Sequence, residues 1–284
     1  MSTRLLLAAW LLAAGAAHAA EPVGMVADPC APRAPDPLGA EISRAMVADE
    51  PFPPALLAKV MDPARGAAAE KVKAEQAARD WADLCRYRAD NLAAGPVDVV
   101  FMGDSITELW QVADLGFFGP KALDRGISGQ TSAQMLLRFP ADVLALRPKV
   151  VHILAGTNDV AGNTGPSRPE DLKNNIRAMA DLADVAGIAV VIGAIPPADL
   201  FLWRAGLRPA GQIVELNAWL KDFARQRGYV FADYHAAMAR TDGAMLPELS
   251  KDHVHPNRKG YALMRPIAER AVVQAAKRGA QRRR

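Results

Sequence analysis

Short apolar runs alternate with helical periods along this chain of 284 residues, and no other feature constrains its fold as strongly. Most of the runs show little alternation between apolar and polar residues, which is typical of strands buried on both faces. The predicted strands are residues 97–102, 122–127, 150–155, 188–195 and 229–232. Between them apolar residues recur at helical spacing, as in Leu172, Ile176, Met179 and Ala183. This pattern predicts an α/β fold in which helices cover both sides of one parallel sheet.

The regions outside this alternation indicate the domain organisation. Residues 20–66 are rich in proline, which fixes φ and cannot donate a backbone hydrogen bond, so we expect an extended, loop-rich arm. Residues 67–93 predict one leading helix, because alanines and other apolar residues recur at helical spacing. Pro140 is expected to break or kink the helix that contains it. We therefore predict one domain, residues 67–278, followed by a basic tail, residues 279–284.

The first 19 residues predict an export signal. Arg4 supplies a positive charge, an apolar run follows, and Ala17-His18-Ala19 offers the small residues at which a signal peptidase cuts. A membrane anchor is the alternative, but the apolar run is short for a bilayer. No later stretch is apolar enough to predict a transmembrane span. We expect an exported protein, periplasmic or extracellular.

Two cysteines, Cys30 and Cys85, remain after removal of that signal. In an oxidising compartment an even number of cysteines favours a disulfide, with two buried free thiols as the alternative.

The net charge of +3 is concentrated at the end of the chain. Five positive charges lie in the last eight residues, and without them the net charge is −2. A basic tail can contact nucleic acid, but it is more often a solvated chain end. No basic face accompanies the tail, so we do not expect a nucleic-acid partner.

Ser105 follows the first predicted strand, in the segment Gly103-Asp104-Ser105-Ile106-Thr107. Ligands of parallel sheets bind beyond the carboxyl ends of the strands, where the start of a helix also offers N–H groups and a positive dipole end. Both would favour a serine nucleophile and the oxyanion that its attack creates. Taken alone, the segment suits a helix N-cap equally well.

A nucleophilic serine needs a base and an acid that orients the base. Asp252 precedes His255 by three residues in a polar loop, a spacing that places the carboxylate beside the imidazole in a turn. His253 is adjacent to Asp252 and is expected to point elsewhere. His152 lies inside a predicted strand as a core histidine, and His235 has no obvious partner. An Asp-x-x-His pair can also begin a metal site, but no third ligand is evident, so we predict neither metal nor cofactor.

Two further loops follow predicted strands and offer hydrogen-bond donors. Gly129 leaves its backbone N–H open to a ligand, and Asn158 carries an amide donor. Each loop alone is compatible with an ordinary turn. Together they converge on the same edge of the sheet as Ser105.

These four blocks, Gly-Asp-Ser, Ile-Ser-Gly-Gln, Gly-Thr-Asn-Asp and Asp-x-x-His, resemble in order and spacing those of the SGNH (GDSL-type) hydrolases. The resemblance implies a flavodoxin-like three-layer α/β/α sandwich with a five-stranded parallel sheet of order 2-1-3-4-5. It also implies Ser105 as nucleophile, His255 as base, Asp252 as its orienting acid, and an oxyanion hole formed by Ser105, Gly129 and Asn158. The first block has Ile106 where the family name has Leu, which keeps the apolar character.

The loop from residue 195 to 209 faces the same crevice and is expected to contact substrate. Trp203 and Arg204 in this loop, together with Asp104 and Trp110 near the serine, are the predicted substrate contacts. Aromatic faces suit sugar rings, and the pattern with an export signal is similar to bacterial carbohydrate esterases and to platelet-activating-factor acetylhydrolase-like enzymes. We predict an esterase for acetyl or other short acyl groups on a small-molecule or polysaccharide ester. The alternatives are a lysophospholipase or thioesterase acting on longer acyl chains, and a non-catalytic carbohydrate- or lipid-binding relative. The oligomeric state is left open.

Overall fold

A computed structural model describes residues 24–25, 28–30, 33 and 35–282. The described residues from 35 onward form one compact unit. The predicted export signal, residues 1–19, lies outside the described residues.

The sheet has the predicted five strands, all parallel, and the predicted order of β2-β1-β3-β4-β5 is confirmed. The strands are β1 (Val99–Gly103), β2 (Ala122–Gly126), β3 (Val150–Leu154), β4 (Ala189–Gly193) and β5 (Val230–Ala232). The helices are α1 (Pro37–Val47), α2 (Pro54–Val60), α3 (Pro63–Arg79), α4 (Arg88–Ala93), α5 (Ser105–Ala113), α6 (Ser132–Phe139), α7 (Thr157–Val160), α8 (Pro169–Val185), α9 (Ala210–Arg227), α10 (Tyr234–Met238) and α11 (Arg258–Arg282).

Alternate residues of the central strands face two separate apolar cores. Val100 and Met102 of β1 join the core formed with α6, α8 and α9. Val99 and Phe101 join the core formed with α1, α5 and α11. Because both faces of the strands are covered, the strands need apolar residues at every position. This is the predicted three-layer α/β/α arrangement.

Pro140 has the predicted effect. Helix α6 ends at Phe139, and Pro140 opens a π-helical turn, Pro140–Leu144. Proline lacks the N–H that would continue the α-helical bonding pattern, so the regular helix stops there.

The prediction of an extended arm over residues 20–66 is wrong for much of this region. Three helices occupy it, and each begins with a proline, Pro37, Pro54 or Pro63, in its first turn. The first turn of a helix has no intrahelical use for its N–H groups, so proline is tolerated there. The prolines therefore mark helix starts rather than an extended chain.

The predicted leading helix, residues 67–93, is also wrong as a single element. Helix α3 ends at Arg79, and the Asp80 carboxylate accepts hydrogen bonds from the N–H groups of Leu84 and Cys85, at 2.8 and 2.9 Å. This side chain replaces the backbone acceptors that a continuing helix would use. The next helix, α4, begins at Arg88, after eight intervening residues.

At the other end, the predicted tail from residue 279 is helical through Arg282, because α11 continues. Ala275 is buried on this helix, and Arg278 donates to the carbonyl oxygens of Gly228 and Tyr229. These contacts hold the end of the helix against the domain.

Neither Cys30 nor Cys85 is a free thiol, as the predicted disulfide requires. Among the described residues, no helix combines the length and the apolar character needed to cross a membrane.

Candidate active site

The carboxyl ends of the strands bring the predicted site residues to one edge of the sheet. Gly103, the last residue of β1, is in register with Gly126 of β2 and Leu154 of β3. The segments that follow these three positions carry Ser105, the first residue of α5, then Gly129 in a loop and Asn158 in α7. Parallel register therefore accounts for the convergence of three sequence blocks that are far apart in the chain.

Ser105 is the first residue of α5, and Asp104 is its N-cap. The Asp104 carboxylate accepts a hydrogen bond from the N–H of Ile106 at 2.9 Å. The start of α5 also lies against the end of β2, where a Cβ on Gly126 would be 2.2 Å from the backbone nitrogen of Glu108. The absence of a side chain at Gly126 lets the helix begin this close to the sheet, which fixes Ser105 at its edge.

Ser105, His255 and Asp252 form an unbroken row of hydrogen bonds. Ser105 Oγ lies 2.8 Å from His255 Nε2, and His255 Nδ1 lies 2.6 Å from Asp252 Oδ2. A carboxylate only accepts hydrogen bonds, so Nδ1 carries the proton and the lone pair of Nε2 faces the serine hydroxyl. In this tautomer His255 can accept the hydroxyl proton of Ser105.

The turn between Asp252 and His255 is held by the second oxygen of the carboxylate. Asp252 Oδ1 accepts from the N–H groups of Val254 and His255, at 3.1 and 2.8 Å, and from Ser250 Oγ at 3.1 Å. His253 takes a left-handed backbone conformation, φ +69°, and its ring lies 3.1 Å from Asp199 Oδ1. As expected, His253 points away from Ser105.

The electrostatics of the pair favour a charged imidazole. Burial by itself raises the pKa of Asp252, but the charge of His255 and hydrogen bonds from that residue and Val254 lower it to about 2. Burial likewise lowers the pKa of His255, whereas the charges of Asp252 and Asp104 raise it, and the net result is a pKa above the usual value. The site therefore stabilises the imidazolium that forms when a serine loses its proton.

Gly129 occupies a backbone conformation that favours glycine, with φ +80°. Neither the Gly129 nor the Ser105 N–H is a donor in the loop, turn and cap hydrogen bonds of the described residues. Both N–H groups are therefore left unused by these bonds.

Asn158 is almost fully buried and its amide orientation is defined by its neighbours. Its Nδ2 donates to Asp104 Oδ2 and to the carbonyl of Gln130, both at 3.1 Å, and its Oδ1 accepts from Asn163 Nδ2 at 2.6 Å. Burial raises the pKa of Asp104 to about 6, against the opposing effects of the Ile106 N–H and the charge of His255. The NH₂ group of Asn158 therefore faces the segment that carries the serine.

A buried arginine that the sequence analysis missed lies beneath these loops. Arg138 is 0% exposed and donates to the carbonyl oxygens of Gly103 and Arg125, at 2.9 and 2.8 Å. Its remaining nitrogens contact Gln130 Oε1 and the carboxylate of Asp142. It therefore links the ends of β1 and β2. In the sequence, the burial of Arg138 is indicated only by its position beside Phe139 in an amphipathic helix. An exposed arginine could occupy the same position, so the pattern does not predict the burial.

Two of the predicted substrate contacts are wrong. Trp110 is 0% exposed and packs in the core against Phe101, Phe117 and Tyr261. It lies more than one turn into α5, on the face that packs on the sheet. Asp104 is also buried, and its carboxylate is used by the N-cap bond and by Asn158.

Trp203 and Arg204, the other two predicted substrate contacts, lie in the loop between β4 and α9. Trp203 is 42% exposed, and its ring stacks on Phe201 with its centroid 6.4 Å from that of His255. Arg204 donates to the carbonyl of Gly162 at 2.9 Å. A groove of about 850 Å³ lies between the loop that carries Trp203 and the segment after α7. Its lining includes Asp159, Ser167, Arg168, Trp203, Arg204, Leu207 and Gln212.

The remaining histidines do not contribute to this site. His152 is buried in β3, where its Nε2 lies 2.8 Å from the hydroxyl of Tyr234, and burial lowers its pKa to about 3. It is the core histidine that the sequence predicted. His235 is half-buried in α10, and burial lowers its pKa as well. Within the described part of the chain, no three His, Cys, Asp or Glu side chains are grouped so that they could hold a metal ion.

The sequence also matches a known protein family over the region that carries these residues. Residues 101–263 match the model of the GDSL-like lipase/acylhydrolase family, which covers more than half of the chain. The chain belongs to the GDSL-like lipase/acylhydrolase family. As a member of this GDSL-like family it is a carboxylic ester hydrolase.

Solved structures of other GDSL-like proteins have the same fold. A protein of Bacteroides fragilis assigned as an acylhydrolase is 38% identical, with a TM-score of 0.67, and the match covers 69% of this chain and 99% of that one. A GDSL-like lipase of Bacteroides thetaiotaomicron is 39% identical, with a TM-score of 0.66 and coverage of 68% and 98%. A catalytic mutant of an acetylxylan esterase of Geobacillus stearothermophilus is 19% identical, with a TM-score of 0.51 and coverage of 63% and 95%, and shares the fold. No protein of curated function matches the chain in sequence.

Proposed function

We propose that this hydrolase is a serine esterase in which Ser105 is the nucleophile, His255 the general base and Asp252 the group that orients His255. The observation that carries the proposal is the row of hydrogen bonds of 2.8 and 2.6 Å that joins these three side chains. Ser105 Oγ attacks the ester carbonyl as its proton passes to His255 Nε2. The bond to the alcohol then breaks, and His255 returns the proton to the departing oxygen. Water then attacks the acyl carbonyl while His255 takes its proton. The bond from the acyl group to Ser105 Oγ breaks, and His255 returns the proton to Ser105.

The oxyanion of each tetrahedral intermediate would be held by the N–H groups of Ser105 and Gly129 and by Nδ2 of Asn158. The unused backbone N–H groups and the orientation of the Asn158 amide support this assignment. Both Nδ2 hydrogens of Asn158 already bond to Asp104 and the Gln130 carbonyl, so one of these two 3.1 Å bonds would be exchanged for the oxyanion. Loss of one such donor costs about 10²–10³ in kcat. Asn158→Ala is therefore expected to lower kcat by that factor while the protein stays folded.

We further propose that the substrate is an acetyl or other short-chain ester of a carbohydrate. The half-exposed ring of Trp203 beside His255 offers a flat face of the kind on which sugar rings stack. The adjoining groove carries Arg168, Arg204 and Gln212, which suit hydroxyl groups, and these side chains interrupt apolar residues such as Leu207. A long acyl chain would need a continuous apolar lining instead. The fold is shared with an acetylxylan esterase, which is compatible with this class of substrate.

The acyl preference can be measured with p-nitrophenyl esters of two to sixteen carbons. The proposal expects the highest kcat/KM at the acetyl ester, and a higher kcat/KM on an acetylated xylo-oligosaccharide than on p-nitrophenyl acetate. A maximum at long acyl chains would instead identify a lysophospholipase or thioesterase.

The nucleophile can be tested independently of the substrate. A fluorophosphonate probe should add one phosphonyl group to Ser105, detectable by mass spectrometry of the peptide, and Ser105→Ala should neither react nor retain more than about 10⁻⁴ of the esterase activity. An unlabelled wild-type protein without esterase activity would indicate a non-catalytic binding relative.

Export is a separate proposal that rests on residues 1–19. Edman sequencing of the protein recovered from the periplasm or medium should begin close to residue 20. Recovery of the intact first 19 residues on a cytosolic protein would refute it.

A further inference from the structure

Three side chains outside the proposed Ser-His-Asp group form a directed row of hydrogen bonds that ends at the proposed oxyanion donor. Trp203 Nε1 donates to Asn163 Oδ1 at 3.0 Å, and Asn163 Nδ2 donates to Asn158 Oδ1 at 2.6 Å. Asn158 Nδ2 then donates to Asp104 Oδ2 at 3.1 Å. We call Trp203, Asn163 and Asn158 the amide relay. Asn163 was not singled out by its sequence position, since an asparagine after a glycine is also typical of an ordinary turn.

The direction of the amide relay follows from the chemistry of its two ends. A primary amide presents a donor on one side and an acceptor on the other, and a half-turn exchanges them with little change in shape. An indole N–H can only donate, so Asn163 must turn its oxygen toward Trp203. Its NH₂ group then faces Asn158, which must turn its own oxygen toward Asn163. The NH₂ group of Asn158 is thereby directed toward the serine segment.

The acceptors around Asn158, at the other end of the amide relay, favour the same orientation of its amide. Asp104 and the Gln130 carbonyl both present acceptor oxygens to Asn158 Nδ2. A reversed Asn158 would set its oxygen against these oxygens in a site where Asn158 is only 3% exposed. Because burial raises the pKa of Asp104 to about 6, this end weakens in mild acid, whereas the indole end keeps its proton at every pH.

We propose that Asn163 and Trp203 are positioning residues that hold the Asn158 amide with its N–H side toward the oxyanion. The inference rests on the proposed role of Asn158 as an oxyanion donor. It also separates two functions of Trp203, since the ring could contact a sugar while the indole N–H sets the polarity of the amide relay. Neither residue touches the reacting atoms in this scheme.

The central test is a double-mutant cycle between Asn163 and Asn158 with p-nitrophenyl acetate as substrate. Asn163→Leu keeps the branching and the number of side-chain heavy atoms but removes the hydrogen bonds to Trp203 and Asn158 and a longer one, 3.4 Å, to the Gly129 carbonyl. It is expected to lower kcat by about tenfold, equivalent to about 1.4 kcal/mol, with KM within twofold. In an Asn158→Ala background the same substitution should change kcat by less than twofold, because no amide is left to orient. Affinity for a methylboronic acid inhibitor, whose adduct resembles the tetrahedral intermediate, should fall in parallel with kcat.

Two further variants test the polarity itself. Asn163→Asp presents only acceptors to Asn158 and so opposes the native orientation, and its kcat should be about tenfold below that of Asn163→Leu. Trp203→Phe keeps a ring and removes the N–H, and its kcat on the same small ester should fall about threefold to tenfold. Thr164→Val, which removes a hydroxyl from the next residue of the same turn, is the matched control and should leave kcat unchanged.

The outcomes separate this inference from the proposed function. Additive effects of Asn163→Leu and Asn158→Ala, or an Asn163→Asp variant no slower than Asn163→Leu, would overturn the amide relay while leaving Asn158 as a donor. A kcat unchanged in Asn158→Ala alone would overturn the oxyanion role of Asn158, and the amide relay with it. Equal melting temperatures of the variants show that the comparison concerns folded proteins.

Discussion

The substitution Asp252→Asn should invert the tautomer of His255. In the native turn Asp252 Oδ1 accepts from the N–H groups of Val254 and His255. These two donors require an oxygen, so the new side chain must keep its carbonyl on them and turn its NH₂ group toward His255 Nδ1. Nδ1 then becomes an acceptor, and the ring proton moves to Nε2, which faces Ser105 Oγ. A protonated Nε2 cannot take the hydroxyl proton.

The size of the effect follows from two contributions. Inversion of the tautomer in a serine-histidine-aspartate site lowers kcat by about 10⁴. The charge is also lost, and the lowering of the pKa of Asp252 from 3.8 to about 2 corresponds to about 2 kcal/mol. Because that pKa is depressed in the folded state, this contribution to stability is present above pH 3.8 and is lost as the pH falls through about 2. The variant should therefore be less stable than the wild type at pH 7 and nearly equal to it at pH 2.

Three measurements examine this reasoning together. Steady-state hydrolysis of p-nitrophenyl acetate gives kcat, urea unfolding at several pH values gives the free energy of unfolding, and long-range ¹H–¹⁵N correlation spectra of the imidazole report which ring nitrogen is protonated. We expect a proton on Nδ1 in the wild type and on Nε2 in Asp252→Asn. A folded Asp252→Asn protein that keeps its proton on Nδ1, or that retains kcat within tenfold of the wild type, would refute the proposed role of the Asp252 carboxylate.

Three further predictions concern the surroundings of the site. The pKa of His255 is raised and a general base must be neutral, so kcat/KM should fall in acid with an apparent pKa above 6.5. Asp104→Asn removes one of the charges that raise the pKa of His255, so this fall in kcat/KM should move to lower pH; a pH profile unchanged by Asp104→Asn would show that Asp104 does not act on the pKa of His255. Arg138→Met should lower the free energy of unfolding by about 3–5 kcal/mol, because it leaves the buried Asp142 carboxylate without its cationic partner, and a loss below about 1 kcal/mol in urea unfolding would show that Asp142 needs no such partner. Val47→Ala should cost about 2 kcal/mol in the same assay through the loss of two buried methyl groups, whereas Val72→Ala, on the exposed surface of α3, should cost nothing; equal effects would show that α1 does not belong to the core.

The sheet and the convergence of the site loops could be predicted because both depend on local sequence patterns. Strands buried on both faces need apolar residues at consecutive positions, and their carboxyl ends necessarily meet at one edge. The predictions for the arm failed because the meaning of a proline depends on its position in an element. Pro37, Pro54 and Pro63 occupy first turns, where the missing N–H has no consequence. The break after Arg79 depends on one carboxylate, Asp80, that competes with the backbone.

Within the site, the sequence predicted which residues lie at the edge of the sheet but not which way every side chain points. Ser105 and Trp110 share α5, yet one lies at the open end of the helix and the other on its buried face. Asn163 contacts Trp203 across 40 residues of chain, and no periodicity encodes such a pair. Arg138 is buried because four carbonyl or carboxylate oxygens surround it, an arrangement that exists only once β1 and β2 are paired.

These buried polar contacts have a common consequence for how the site works. Arg138 joins the strand ends that precede Ser105 and Gly129, Asp159 accepts from Ser132 and so joins the loop of Asn158 to α6, and Asn163 joins that loop to Trp203. Donors aimed at a developing oxyanion are effective only if they need not reorganise during the reaction, and these links would hold the proposed donors in place before substrate arrives. The links differ in kind, however. Arg138 neutralises a buried charge, so its loss should lower stability together with rate, whereas the amide relay only selects between two nearly isosteric orientations. Loss of Asn163 should therefore lower the rate with little change in stability, which distinguishes a group that orients a donor from a group that supports the fold.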